Sequence, residues 1–179
     1  MPVKRNPLPM NLAPYSIGIG DRFGHQGAAQ LAALQAARQA GVDITPVWNK
    51  SSREHTLIGT DPKDARSSAD AAVIRTGWKH SYYLDADHIG LANVDRFLDA
   101  CDFFTIDVAD DIGQEADPGA IAAFLKDMAG FTGNLRIPGI EATLDARKAI
   151  VETIARKYLA AVQAAGRVYR HIAKAKGAL

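Results

Sequence analysis

Tyr82-Tyr83-Leu84-Asp85-Ala86-Asp87-His88-Ile89 decides how the chain folds, because aromatic and aliphatic residues suited to a buried strand run straight into acids and a histidine. Asp85 and Asp87 are two apart, so on a strand from Ser81 to Asp87 they share one face, with His88 at the exit where the chain turns. A carboxylate beside an imidazole at such an exit has three uses: holding a divalent metal, moving a proton, or capping the helix that follows.

The same arrangement recurs on both sides of this stretch. Tyr15 to Asp21 alternates apolar and small residues as a strand and delivers Asp21-Arg22. An alanine-rich helix from Gly27 to Gln39, with Leu31 and Leu34 inward, stops at Gly41. Val42 to Trp48 reads as a second strand ending in Asn49-Lys50, although Pro46 removes one ladder donor from it. Ser51 to Gly59, with Arg53, Glu54 and His55, shows neither period and reads as a functional loop. Asp61-Pro62 opens a helix whose buried stripe is Ala65, Ala69, Ala72 and Val73, until Gly77. After the central strand come a short helix over Asn93 to Cys101 and a fourth strand, Phe103 to Val108, which passes through Asp107.

Strands alternating with helices over short links predict parallel strands and right-handed crossovers, an α/β fold. In such a sheet the carboxyl ends share one rim, where ligands bind in barrels and open sheets alike. Asp21, Arg22, Lys50, Asp87, His88 and Asp107 are thereby expected to converge. Beyond Gly113 the rhythm stops. Asp117-Pro118 starts a helix to about Ala129, and a long helix is expected from Glu141 to about Lys176, its apolar face formed by Val151, Ile154, Tyr158, Val162, Ala165, Val168 or Tyr169, and Ile172. The expected division is an extended lead-in at 1–14, a β/α portion at 15–112, and a helical part of the same domain at 113–179.

Composition narrows the partners. With 179 residues, 47% hydrophobic and 23% charged, the chain is long enough for a substantial core. A formal charge of +1 gives no bulk attraction to nucleic acid or membrane, which directs attention to a small molecule. No apolar run suits a signal peptide or a span, and Cys101 is the only cysteine, so a cytoplasmic protein without an internal disulfide is expected.

Ser16 to His25, Pro46-Val47-Trp48-Asn49-Lys50 with Arg53-Glu54-His55, Asp85-Ala86-Asp87-His88, and Thr105 to Asp110 together resemble the tagaturonate/fructuronate epimerase family. The resemblance implies a partial (β/α) barrel of about four parallel strands followed by the long C-terminal helix. It also implies metal-dependent epimerisation of a keto-hexuronate, a small-molecule sugar acid, in hexuronate catabolism. Residue by residue, it implies a catalytic proton acceptor at Asp87 and a ligand to a divalent metal cation at His88. The family's proteins are longer and carry a further acid and further metal-binding histidines, so activity is expected to require completion of the site.

Around that pair, Arg22, Lys50, Glu54, His55 and Asp107 are substrate-binding candidates. Arg22 and Lys50 suit a carboxylate, or an ion pair with Asp21 or Asp107 across the rim. Asp85 is expected to orient His88 or to serve as a buried structural acid, and Asp21 to support the same rim. Two other readings stand beside this one: a non-catalytic, self-associating scaffold, and an aldolase-type enzyme forming a Schiff base at Lys50. Either way the open sheet and long helix predict a homo-oligomer.

Overall fold

A computed structural model describes residues 14–177. The lead-in expected at 1–14 lies, but for Pro14, outside them. The chain divides into two compact units, residues 1–106 with 172–179 and residues 107–171.

The first unit is a four-stranded parallel sheet in the order β1-β2-β3-β4, with helices between the strands. Its strands are β1 (Ser16–Gly20), β2 (Thr45–Ser51), β3 (Tyr83–Ile89) and β4 (Phe103–Ile106), and its helices α1 (Gly27–Gln39), α2 (Ser52–Ile58) and α3 (Pro62–Thr76). The sheet is not closed among the described residues, consistent with part of a barrel.

Helix α1 falls where its alanine run predicts, and α3 begins at Pro62 and is stopped by Gly77, whose φ of 66° is a conformation that glycine adopts without strain. Ala69, Ala72 and Val73 of α3 are buried, while Ala65 is only half-buried. The two helices approach closely at Gly27, where an added Cβ would lie 2.7 Å from that of Ala72. Gln30 of α1 accepts from the Trp48 indole at 2.8 Å and donates to the Gly20 carbonyl at 3.0 Å, fixing the exits of β1 and β2 together. Leu31, Leu84, Ala86, Ile89 and Phe97 are fully buried in this unit's core.

Several boundaries differ from the sequence reading, each for a local reason. The second strand begins at Thr45, three residues later than expected, and Pro46 sits near its start, where a missing donor costs least. The central strand continues through His88 to Ile89, so His88 lies within it and not at a turn. The fourth strand ends at Ile106, before Val108. Ser51 to Gly59 is not a loop: Ser51 caps α2, its hydroxyl accepting from Glu54 N while the Glu54 carboxylate accepts from Ser51 N. Asn93 to Cys101 holds only a 3-10 turn, Val94–Arg96.

The second unit contains α4 (Pro118–Asp127), capped by Asp117 through Ala120 N at 2.9 Å, and an antiparallel hairpin of β5 (Gly133–Leu135) and β6 (Leu144–Ala146). This hairpin occupies residues expected to be a connection and the start of the long helix. That helix, α5, runs from Lys148 to Ala175, and the unit includes it as far as His171. Ala116, Ile121 and Leu159 cluster here with Phe124 and Leu125. The expected apolar face is largely exposed: Ile154, Tyr158, Val162 and Tyr169 point outward, and Ala155, Leu159, Ala161, Ala164, Val168 and Ala173 are the buried residues. In an alanine-rich helix the small residues permit close packing, so size alone misleads about which side is inward. No helix among the described residues is long and apolar enough to cross a membrane.

Candidate functional site

Parallel pairing sets the carboxyl ends of β1 to β4 on one edge, as the rim argument requires. Gly20 pairs with Asn49, Asn49 with Asp85, and Ser51 with Asp87, so these residues lie side by side across three strands. Asp107 is the first residue of the second unit, where its carboxylate accepts from Ala109 N at 3.0 Å.

The end of β3 is irregular. Its register with β4 shifts between Ala86 and Ile89, a bulge that leaves Asp87-His88 opposite a shorter run of the partner strand. His88 has φ 53°, the only positive φ of a non-glycine among the described residues. That left-handed conformation costs an ordinary residue about 1–2 kcal/mol. It also re-aims the imidazole, whose side chain is 65% exposed beside the 22% exposed Asp87, with Nε2 and Oδ2 3.8 Å apart. Asp85 lies one step inward. Its Oδ2 accepts from the Thr105 hydroxyl at 2.7 Å, and its Oδ1 is buried with no hydrogen-bond partner. Burial pushes the Asp85 carboxyl above the usual carboxylate range, against the Thr105 hydrogen bond, and the nearby Asp87 charge adds to the rise.

The end of β2 is built differently. Lys50 is 7% exposed, and its Nζ donates to the Arg22 carbonyl at 2.6 Å beneath the β1–α1 connection. Burial lowers the Lys50 ammonium from its ordinary value, opposed by the charges of Asp21, Glu54 and Asp64. Asp21 holds the same connection from the other side, accepting from His25 N at 3.1 Å and Gln26 N at 2.7 Å. Arg22 Nε pairs with Glu54 Oε1 at 3.2 Å, so its expected ion pair is made with Glu54 and not with Asp21. Burial alone would raise the Glu54 carboxyl, but hydrogen bonds from Ser51 and Arg22 outweigh it and hold the group below its usual value.

His55 is 1% exposed, its Nδ1 sharing a 3.0 Å hydrogen bond with the Thr60 hydroxyl and its ring packed 5.9 Å from that of Phe97. Burial, then the charges of Lys50 and Arg96, push its pKa down to about 4. Lys50 and His55 line, with Asp21, Ser68, Asp85 and Cys101, a cavity of about 30 Å³. Such a volume holds a water and not a sugar acid. His55 does not stand on an open substrate loop as the sequence suggested, and Lys50, at the end of β2 as expected, is buried and not open to the rim.

Ser51 and Thr105 were not singled out by the sequence reading. Ser51-Ser52-Arg53-Glu54 is a capping-box pattern that could have exposed the first. Nothing local marks Thr105, whose role depends on the β3–β4 register. Among the described residues, no three His, Cys, Asp or Glu side chains group as a metal site requires.

A family model described as tagaturonate epimerase matches residues 3–177. No curated protein matches the sequence. Among solved structures, the chain is similar to the native fructuronate-tagaturonate epimerase UxaE from Cohnella laeviribosi, at 23% identity and TM-score 0.67 over 87% of this chain and 34% of that one. The glycerol-complexed form of the same enzyme matches at 23% identity and TM-score 0.64, over 83% of this chain and 32% of that one. The chain thus spans about a third of the length of the structures it matches, and the likeness bears out the α/β arrangement of four parallel strands followed by a long helix.

Proposed function

This chain belongs to the tagaturonate epimerase family, and on that premise we propose that the bulged end of β3 takes part in the epimerisation of a keto-hexuronate, with Asp87 as proton acceptor and His88 as a metal donor. The observation that carries this reading is the left-handed His88 at the register shift, with Asp87 beside it. Strain held at a rim position that exposes an imidazole beside a carboxylate is typical of functional sites.

The carbon inverted between tagaturonate and fructuronate lies two bonds from the ketone, so its hydrogen is not made acidic as an adjacent one would be. A retro-aldol route avoids that hydrogen. Asp87 takes the proton of the hydroxyl on that carbon, and the bond to the carbon adjacent to the ketone breaks, giving an aldehyde and an enediolate. The aldehyde turns its other face, the bond reforms, and the proton returns to the new alkoxide. No atom or electron is gained or lost.

A divalent ion needs about four or more ligands. The described residues do not by themselves fit such a site, and no step above passes through a metal. We assign His88 as one donor to such an ion. Equilibrium dialysis against Zn2+ tests this: metal bound in proportion to protein and lost in His88→Ala supports the assignment, and equal binding by both proteins overturns it. Turnover of tagaturonate in deuterated water tests the route, which predicts fructuronate without deuterium at the inverted carbon.

A second reading, a Schiff base at Lys50, has in its favour a burial that lowers the pKa in the direction that frees an amine. It requires the small cavity around Lys50 to open and its hydrogen bond to the Arg22 carbonyl to break. Borohydride in the presence of tagaturonate would then add substrate mass at Lys50, and an unmodified Lys50 removes the reading. Self-association is proposed on the exposed side of α5, where an antiparallel copy would set Tyr169 against Ile154 and Val162 against itself. Sedimentation equilibrium is expected to show a dimer; a monomer contradicts it.

A further inference from the structure

We propose that Arg22 is the residue that grips the carboxylate of the sugar acid, and that Glu54 is the positioning residue that aims it; the proposal rests on the reading of the site given above.

Four observations converge on this pair. Arg22 leaves the carboxyl end of β1 on a connection fixed from two sides, by Lys50 Nζ on its own carbonyl at 2.6 Å and by Asp21 on the amides of His25 and Gln26. Its side chain is half exposed, and Glu54 holds it through Nε, on the inner edge of the guanidinium. The Glu54 carboxylate is itself immobilised, its other oxygen accepting from Ser51 N at 3.0 Å and Ser51 Oγ at 3.1 Å. Ser51 is the register partner of Asp87, so two hydrogen bonds and one inter-strand step link the guanidinium to the proposed proton acceptor.

An arginine held at Nε keeps its two terminal nitrogens as a planar fork, the geometry that matches a carboxylate with two parallel hydrogen bonds. A lone surface ion pair has no need of five further hydrogen bonds that fix both its backbone and its partner. Because the conformational freedom of the arginine is lost on folding, less is lost when ligand binds. The fork recognises the feature that separates a hexuronate from a neutral hexose, and it sits on the same rim as Asp87.

The test compares binding of tagaturonate with that of tagatose, which has a primary alcohol in place of the carboxylate, by titration calorimetry with Zn2+ supplied. The wild-type protein is expected to prefer tagaturonate by about tenfold or more, the value of a charge-assisted contact. Arg22→Gln is expected to abolish the preference and Arg22→Lys to restore part of it. Glu54→Gln separates aiming from folding, because glutamine still completes the capping box at Ser51 yet cannot pair with Arg22 Nε. It is expected to weaken tagaturonate binding several-fold with tagatose binding and the melting temperature unchanged. If Arg22→Gln keeps the wild-type preference, the grip is overturned while the epimerase reading stands. If wild-type protein binds neither sugar, both fall together.

Discussion

The ends of β2 and β3 lie side by side in one sheet and carry similar residues, yet they use them in opposite ways. At the end of β2, Lys50, Ser51, Glu54 and His55 are turned inward or onto each other, and almost every polar atom is spent on holding the β1–α1 connection and the start of α2. At the end of β3, regular pairing is broken by a bulge, His88 is held at positive φ, and its imidazole is turned outward beside a mostly buried Asp87 carboxylate. A histidine in a rim motif is therefore not informative by itself. His55, 1% exposed and shifted to a pKa of about 4, is part of the scaffold, while His88 is exposed at a backbone cost.

Substitutions can break this contrast. The largest expected effect is on catalysis: Asp87→Asn is isosteric and should lower epimerisation by about 10²- to 10⁴-fold, the usual contribution of a positioned base, without loss of folding. Next is the scaffold. His55→Ala removes a buried ring and its hydrogen bond to Thr60, and urea unfolding should show a loss of about 2–4 kcal/mol. An unchanged midpoint would mean that the end of β2 is not the anchor described.

The third effect is a pH dependence that belongs to the same residue. In the fold His55 stays neutral down to about pH 4, whereas the unfolded imidazole takes up a proton near 6.5. Between those values the unfolded chain binds more protons, so stability rises with pH. The His55 contribution is full above about pH 6.5 and is lost as pH falls toward 4. It is on the order of 3 kcal/mol, and chemical denaturation at pH 7 and pH 4.5 should show a smaller difference in His55→Gln. The smallest effect is at the strained residue. His88→Gly should raise stability by up to about 1 kcal/mol because glycine accepts positive φ, and an equal loss would contradict stored strain.

How much of this was legible in the sequence depended on whether the signal was local. Gly27 to Gln39 and the Asp61-Pro62 helix were readable because alanine content, Pro62 and Gly77 act within one turn. The parallel order of the strands followed from their alternation with helices, and the side-by-side exits of β1, β2 and β3 followed from that. Helix α2 was hidden because its seven residues are too few for a period, although Ser51 and Glu54 mark its start. The outward side of α5 was misread because Ile154, Tyr158 and Val162 are larger than the alanines that pack. The bulge at His88 and the Asp85–Thr105 hydrogen bond arise from register between strands nearly twenty residues apart, which no local pattern encodes. The roles of Asp87 and His88 came from the family resemblance, and the unusual backbone there is an independent reason to look at them.

The central claim is that the end of β3 does the chemistry. The most direct measurement follows tagaturonate by NMR with the protein and a divalent cation, comparing wild type with Asp87→Asn. The account predicts interconversion with fructuronate by wild type and at least a hundredfold slower reaction by a variant that melts at the same temperature. Equal rates from the two proteins would contradict it.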